Sequence, residues 1–275
     1  MDSSIATSQY SAGDAALNAA SASAPQFKQQ VISKVSKHLL WFLFLLFVFS
    51  FLDRINIGFA GLTMMKDIGL TGTQFGLATT MFYIAYIACG IPSNLILARI
   101  GARKWIASIM IAWGLASTAT MFATSPGTLY VLRILVGITE AGFLPGMLLY
   151  LTYWFPNAYR ARANALFMIA MPVTAAVGSA LSGYILNLDG TLGLNGWQWL
   201  FLLEGLPSAI LGLIVYYYLD DAPAKARWLS AEEKSALAQT LVAEHKSDPL
   251  PEAIATKKKT LRDELTGQRQ AGSPV

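Results

Sequence analysis

Cysteine and histidine are almost missing from this chain, whose whole supply in 275 residues is Cys89, His38 and His245. One thiol cannot close an internal disulfide, and two distant imidazoles with that thiol make no metal-ligand set. The same scarcity leaves an enzyme without the nucleophile, base or metal constellation it needs. Charge is scarce as well. Asp, Glu, Lys and Arg occupy 13% of positions, against about 25% in a soluble domain. The net charge of +4 and pI of 9.1 could point to nucleic acid. However, Lys and Arg fall between apolar blocks and at the chain ends, a pattern that membrane topology explains and a nucleic-acid surface does not.

What the chain has in abundance is long apolar sequence, with 55% hydrophobic residues and a mean hydropathy of +0.48. These residues gather into six blocks, about 39 to 63, 74 to 98, 105 to 123, 127 to 152, 162 to 187 and 197 to 219. Blocks of roughly 20 residues match a hydrocarbon core of about 30 Å. They are too long and too continuously apolar for barrel strands, so each reads as a helix that satisfies its own backbone in lipid. The expectation is an all-α membrane protein, a six-transmembrane-helix bundle.

Three domains follow from this. Residues 1–38 form a Ser- and Ala-rich tail, expected to be disordered and cytoplasmic, 39–219 form the bundle, and 220–275 form a charged cytoplasmic linker. Ser230 followed by Glu233 reads as a capping box that opens a linker helix. The basic stretch KKKTLRDELT resembles the approach to another span, yet no apolar run follows, so a second bundle is expected to be lacking and the chain reads as truncated. Lys28, Lys34 and Lys37 before the first span, Arg99, Arg103 and Lys104 after the second, and Arg160 and Arg162 after the fourth place those loops and both ends of the chain inside. Glycines in the first, fourth and fifth spans read as close-packing positions, and Pro92, Pro145 and Pro172 as bends.

Ionisable residues inside the blocks are few: Asp53, Arg54, Arg133, Glu140 and, closer to an end, Glu204. A charge at mid-bilayer costs about 2.5–3.5 kcal/mol on insertion scales, so these groups should face inward and pair. At 1.5 Å per residue, Asp53 and Arg54 lie about 15 Å from the outer end of the first span, between the depths of Arg133 (about 9 Å) and Glu140 (about 20 Å) on the fourth. Arg133, Gly137 and Glu140 share a helix face, as do Asp53 and Asn56. One neutral cluster follows, either a structural ion network or a proton and anion site. In the second reading Asp53 and Glu140 carry protons, Arg54 holds a substrate carboxylate with Asn56 nearby, and Arg133 links the substrate to Glu140. Glu204 reads as a structural residue near the outer interface.

Several segments carry a resemblance to a known family: DRINIGFA at 53–60, GIPSNLILARIGARKW at 90–105, RILVGITEAGFLPGMLLYLTYWFP at 133–156, GWQWLFLLEGLP at 196–207 and LDDAPAKARWLSAEEK at 219–234. Together they resemble the anion:cation symporter family of the major facilitator superfamily, with its bacterial sugar-acid, tartrate and phthalate-type permeases, over the N-terminal half only. The resemblance implies proton-coupled uptake of a small organic anion by alternating access, with Asp53, Arg54, Arg133 and Glu140 in coupling and binding positions. It also implies that Tyr86 lines the site and that Arg99, Gly101, Arg103 and Lys104 form the cytoplasmic loop motif, although Ala98 stands where the wider superfamily has an acid. The six spans read as two inverted three-helix repeats. Cofactors are not implied. The partners implied are the anion, protons and lipid, with a second six-helix half as a candidate, and the location implied is a bacterial inner membrane. An inactive half-transporter, a channel or a membrane enzyme remain as alternatives.

Overall fold

The computed structural model describes residues 3–247, with side chains for residues 26–244, and is helical with no strand among them. The helices are α1 (Ser3–Ile68), α2 (Gly72–Ile100), α3 (Ala102–Ala119), α4 (Pro126–Glu140), α5 (Phe143–Trp154), α6 (Asn157–Leu186), α7 (Gly196–Tyr218) and α8 (Ala231–Ser247). Among the described residues six spans are long and apolar enough to cross a membrane, the fourth made of α4 and α5 together.

Local chemistry sets the helix starts. Thr71 and Gln74 form a reciprocal capping box at α2. Ser125 accepts from the Thr128 N–H at α4, where Pro126 occupies a first-turn position that needs no N–H. At α8 the Ser230 Oγ accepts from the Glu233 N–H while Glu233 Oε2 accepts from the Ser230 N–H at 2.8 Å, the box the sequence suggests. The fourth span breaks at Ala141 and Gly142. Pro145 accounts for this, because its ring crowds the carbonyl four residues back, at Ala141, and it donates no hydrogen bond. Pro92 and Pro172, by contrast, lie within unbroken helices.

The expected boundary between tail and bundle moves. Residues 26–38 belong to α1, and Val31, Ile32 and Val35 are buried in the same apolar cluster as Leu39 and Leu43. Their spacing with Leu39, at i, i+1, i+4 and i+8, makes a helical stripe that packs on the bundle. Residues 1–25 of the expected tail have no described side chains. The stretch at 257–266, read as an approach to a span, lies outside the described residues.

The packing is two-fold. Helix α1 packs on α6 and α7 as α4 packs on α2 and α3, and α3 packs on α7 across the middle. Exchanging the first three spans with the last three therefore reproduces the contacts. Because α1 and the fourth span run in opposite directions through the bundle, the repeats are inverted. The α3–α7 seam is made close by glycines: a Cβ at Gly114, Gly205 or Gly212 would lie under 3.0 Å from Ala209, Thr118 or Ile111 respectively. Along α1, one apolar cluster ends at Phe47 and a second begins at Ile57. The buried polar residues Ser50, Asp53 and Asn56 fall between them.

Candidate functional site

This polar layer is built around two centres. In the first, α1 presents Arg54 to Glu140 at the last turn of α4. Arg54 Nη2 and Nε donate to Glu140 Oε1 at 2.6 and 3.1 Å, and Ser50 Oγ donates to the same oxygen at 3.2 Å. Glu140 Oε2 is buried with no partner. The acid is sealed, at 1% side-chain exposure, while the Arg54 side chain retains 23%. Tyr86 lies under the guanidinium, whose carbon is 4.8 Å from the ring centroid, an arrangement that favours a cation without neutralising it.

Glu140 can reach α1 because α4 lies hard against α2. A Cβ on Gly137 would come 2.5 Å from the Phe82 carbonyl oxygen, and one on Gly142 would come 1.7 Å from Ser93 Oγ. These two glycines bracket Glu140 and confirm the packing role read from the sequence.

The second centre is Asp53, which accepts from neutral donors only. Trp113 Nε1 and Ser117 Oγ on α3 reach it at 2.9 and 3.0 Å, Ser208 Oγ on α7 at 2.6 Å, and Asn56 Nδ2 at 3.4 Å. No arginine forms an ion pair with Asp53 among the described residues. Instead, three helices meet on one carboxylate. Asn56 belongs to this network and is fully buried, with its own Oδ1 unpartnered.

Arg133 differs from the expectation that it links to Glu140. Its Nη2 donates to Thr120 Oγ1 at 3.4 Å, its guanidinium carbon lies 5.5 Å from the Phe201 ring centroid, and its Nε has no partner. The direct bond to Glu140 goes to Arg54, because Arg133 lies two turns nearer the start of α4, closer to the loop that carries Thr120. Glu204, expected to be a structural residue near the outer interface with water at hand, is sealed inside the bundle. It is 2% exposed, accepts from Ser182 Oγ at 2.9 Å, and has its other oxygen buried and unpartnered. Glu204 and Ser208, at i and i+4, put a third acid on the α7 face that also serves Asp53.

Arg54 and Arg133 border one small cavity of about 20 Å³ with Ile57, Thr79, Phe82 and Tyr83. That volume suits a single water, so the bundle supplies one wall of any larger ligand site. Thr79 and Tyr83 are additions to the sequence reading. Their spacing to Tyr86, at i, i+4 and i+7, was the signal that could have revealed them.

The loop motif sits at one end of the bundle. Gly101, at φ +96°, turns the chain between α2 and α3 and lets Asp221 approach, so that Asp221 Oδ1 accepts from the Arg103 N–H at 3.0 Å. An acid after the sixth span thereby caps α3. The Arg103 guanidinium lies over Tyr216, with its carbon 4.7 Å from the ring centroid, and Arg99 and Lys104 are exposed.

Six apolar helices in inverted triplets, closed around three buried acids and two arginines, define an integral membrane protein with ionisable groups in its interior. The family model described as Major Facilitator Superfamily matches residues 43–266, and the chain belongs to that superfamily. It is 46% identical over 215 residues to a putative tartrate transporter of Agrobacterium vitis, covering 78% of this chain and 50% of that protein. It is 48% identical over 213 residues to the putative metabolite transport protein NicT of Pseudomonas putida, covering 77% and 49%. A quinolone resistance transporter of Acinetobacter baumannii is 38% identical over 216 residues, covering 78% and 50%. The chain thus spans about half the length of the curated relatives it matches. These relatives are transporters, not enzymes. The fold matches a crystal structure of a bacterial homologue of the human lysosomal transporter Spinster in an inward-facing, occupied conformation, with a TM-score of 0.61 and 23% identity over 71% of this chain and 46% of that one.

Proposed function

We propose that the chain is the charge-handling half of a secondary active transporter of the bacterial inner membrane, which takes up a small organic anion by alternating access with protons. The observation that carries this reading is the Arg54–Glu140 pair, a partly exposed cation held at 2.6 Å by a sealed acid. A proton on Glu140 cancels the acid's charge and frees the guanidinium to hold a carboxylate by paired, charge-assisted bonds. Loss of that proton restores the internal pair and expels the anion. Arg133, on the same cavity and without an acidic partner at bonding distance, supplies the second positive charge that a dicarboxylate, sugar acid or aromatic carboxylate needs. Tyr86 and Tyr83 offer an aromatic wall. Asp53 is the second proton-carrying group, linked to Arg54 by its place on α1, and Asn56 orients it.

The partner that completes the site is a second six-helix half. Support comes from helices α2 and α6, which the rest of the bundle covers least and which expose apolar rows such as Ile84, Ile87 and Ile91 on α2 and Met168, Val173 and Val177 on α6. Lipid alone tolerates such rows, but the partly exposed Arg54 calls for protein or water. Both ends of the chain lie on the cytoplasmic side in this reading, as the Lys and Arg distribution directs. Export is the second reading, favoured by the name of the Acinetobacter relative. The test is counterflow of labelled tartrate, a sugar acid and an aromatic carboxylate in vesicles, using the chain joined to the second half of a relative. Uptake of an acid that is lost with Arg54→Ala supports the proposal. Equal transport of an uncharged or cationic drug by wild type and Arg54→Ala proteins contradicts it.

A further inference from the structure

Away from the charged layer, a groove of about 420 Å³ runs between α1 and α6 at the end of the bundle where the fifth span begins. Its outer part is polar, with Ser33, Lys37 and Arg162 along the wall. Neither Lys37 nor Arg162 has an acidic partner among the described residues. Its inner part is apolar, formed by Trp41, Phe44 and Leu166, with Trp41 73% exposed. The change falls where the first apolar block starts, so the groove straddles the boundary between headgroups and hydrocarbon, the level where exposed Trp residues collect.

Two cations with no acidic partner among the described residues, at headgroup depth and continuous with an apolar channel facing the acyl region, complement one chemical class: a phosphodiester with a hydrocarbon tail. A free inorganic anion would use only the outer part and leave the Trp41 wall uncovered. The chain's own basic run at Lys257, Lys258 and Lys259 carries the wrong sign to fill the outer part. We propose that this groove binds an anionic phospholipid, with its phosphate on Lys37 and Arg162 and one acyl chain along Trp41, Phe44 and Leu166. The lipid then sits as a wedge between α1, which carries Asp53 and Arg54, and α6. This assignment needs only the membrane fold and stands apart from the transport proposal.

The test is native mass spectrometry of the 275-residue chain in mild detergent, with phosphatidylglycerol and phosphatidylcholine of matched acyl chains. Wild type is expected to retain a phosphatidylglycerol adduct in preference to phosphatidylcholine. The Lys37→Gln/Arg162→Gln protein should lose at least tenfold in that adduct, while Lys66→Gln, whose charge lies near the opposite end of α1, keeps it. Should the double variant not fold, Trp41→Ala, altered at an exposed position, should weaken the adduct about threefold. Undiminished phosphatidylglycerol binding by the double variant, or by Trp41→Ala where that is the variant measured, overturns the proposal. So does displacement of the lipid by equimolar glycerol phosphate, which marks a free-anion site, or a lipid-free dimer, which marks a protein contact.

Discussion

Arg54 on α1 and Glu140 on α4 meet through two hydrogen bonds to a single carboxylate oxygen, joining the first helix of one inverted repeat to the first helix of the other. The contact is therefore a bond between repeats as well as a charge pair. Removing one partner of a buried pair costs about 3–5 kcal/mol, because the other is left uncompensated. Arg54→Met should lower thermal stability in detergent more than Arg54→Met/Glu140→Gln does. A double variant no more stable than Arg54→Met at neutral pH would show that the pair is not coupled.

Asp53 should behave differently, because its four donors are neutral and come from three helices. Hydrogen bonds to an ion contribute about 1.5–3 kcal/mol each, and an asparagine amide would turn one donor site into a clash of donors. Asp53→Asn is expected to cost about 3 kcal/mol in unfolding measurements. Ser208→Ala, which removes one donor, should cost about 1.5 kcal/mol. Equal losses would mean that the carboxylate is not the hub.

Backbone approach makes a sharper test at Gly142. A Cβ there collides with Ser93 on α2, whereas a Cβ at Gly183 meets nothing within 4 Å. Gly142→Ala should reduce the yield of folded protein strongly and Gly183→Ala should not. Adding Ser93→Gly to Gly142→Ala should restore most of the yield, as read by size-exclusion recovery.

The seating of α8 gives a pH dependence with a definite sign. The Lys34 ammonium, 2.8 Å from Glu233, and the Ser230 N–H hold the Glu233 carboxyl below its ordinary range. A depressed acid contributes stability that is present above its ordinary pKa of about 4.3 and is lost as pH falls through the lowered folded value. Hydrogen exchange in α8, divided by the intrinsic rate at each pH, should stay slow at pH 7 and speed up only below that ordinary value. Lys34→Gln should speed it at pH 7 by up to about fivefold, since a surface pair contributes at most about 1 kcal/mol. Exchange insensitive to both pH and Lys34→Gln would place the docking of α8 in other contacts.

How far the sequence disclosed all this depends on range. The six spans were legible because block length alone separates a bilayer helix from a strand, and depth arithmetic set Asp53, Arg54, Arg133 and Glu140 in one layer, which the structure divides into an Arg54–Glu140 pair, an Asp53 network and an Arg133 bonded to neither acid. The partner assignments inside the cluster were not legible. Trp113, Ser117 and Ser208 lie 60 to 155 positions from Asp53, and nothing local marks a tryptophan or serine as a carboxylate donor. Glu204 was placed near water because it lies early in its span, yet helix packing with Ser182 seals it. The start of α1 was obscured by composition: three lysines and several serines hid the stripe of Val31, Ile32, Val35 and Leu39.

The most direct measurement compares pH-driven accumulation with counterflow for Glu140→Gln, in vesicles holding the chain joined to a second half. If the Arg54–Glu140 pair is the proton-operated switch, the neutral glutamine leaves Arg54 free to bind. Counterflow of the organic acid should then persist within about threefold of wild type while gradient-driven accumulation disappears. Accumulation that follows the imposed pH gradient as strongly in Glu140→Gln as in wild type would contradict the account.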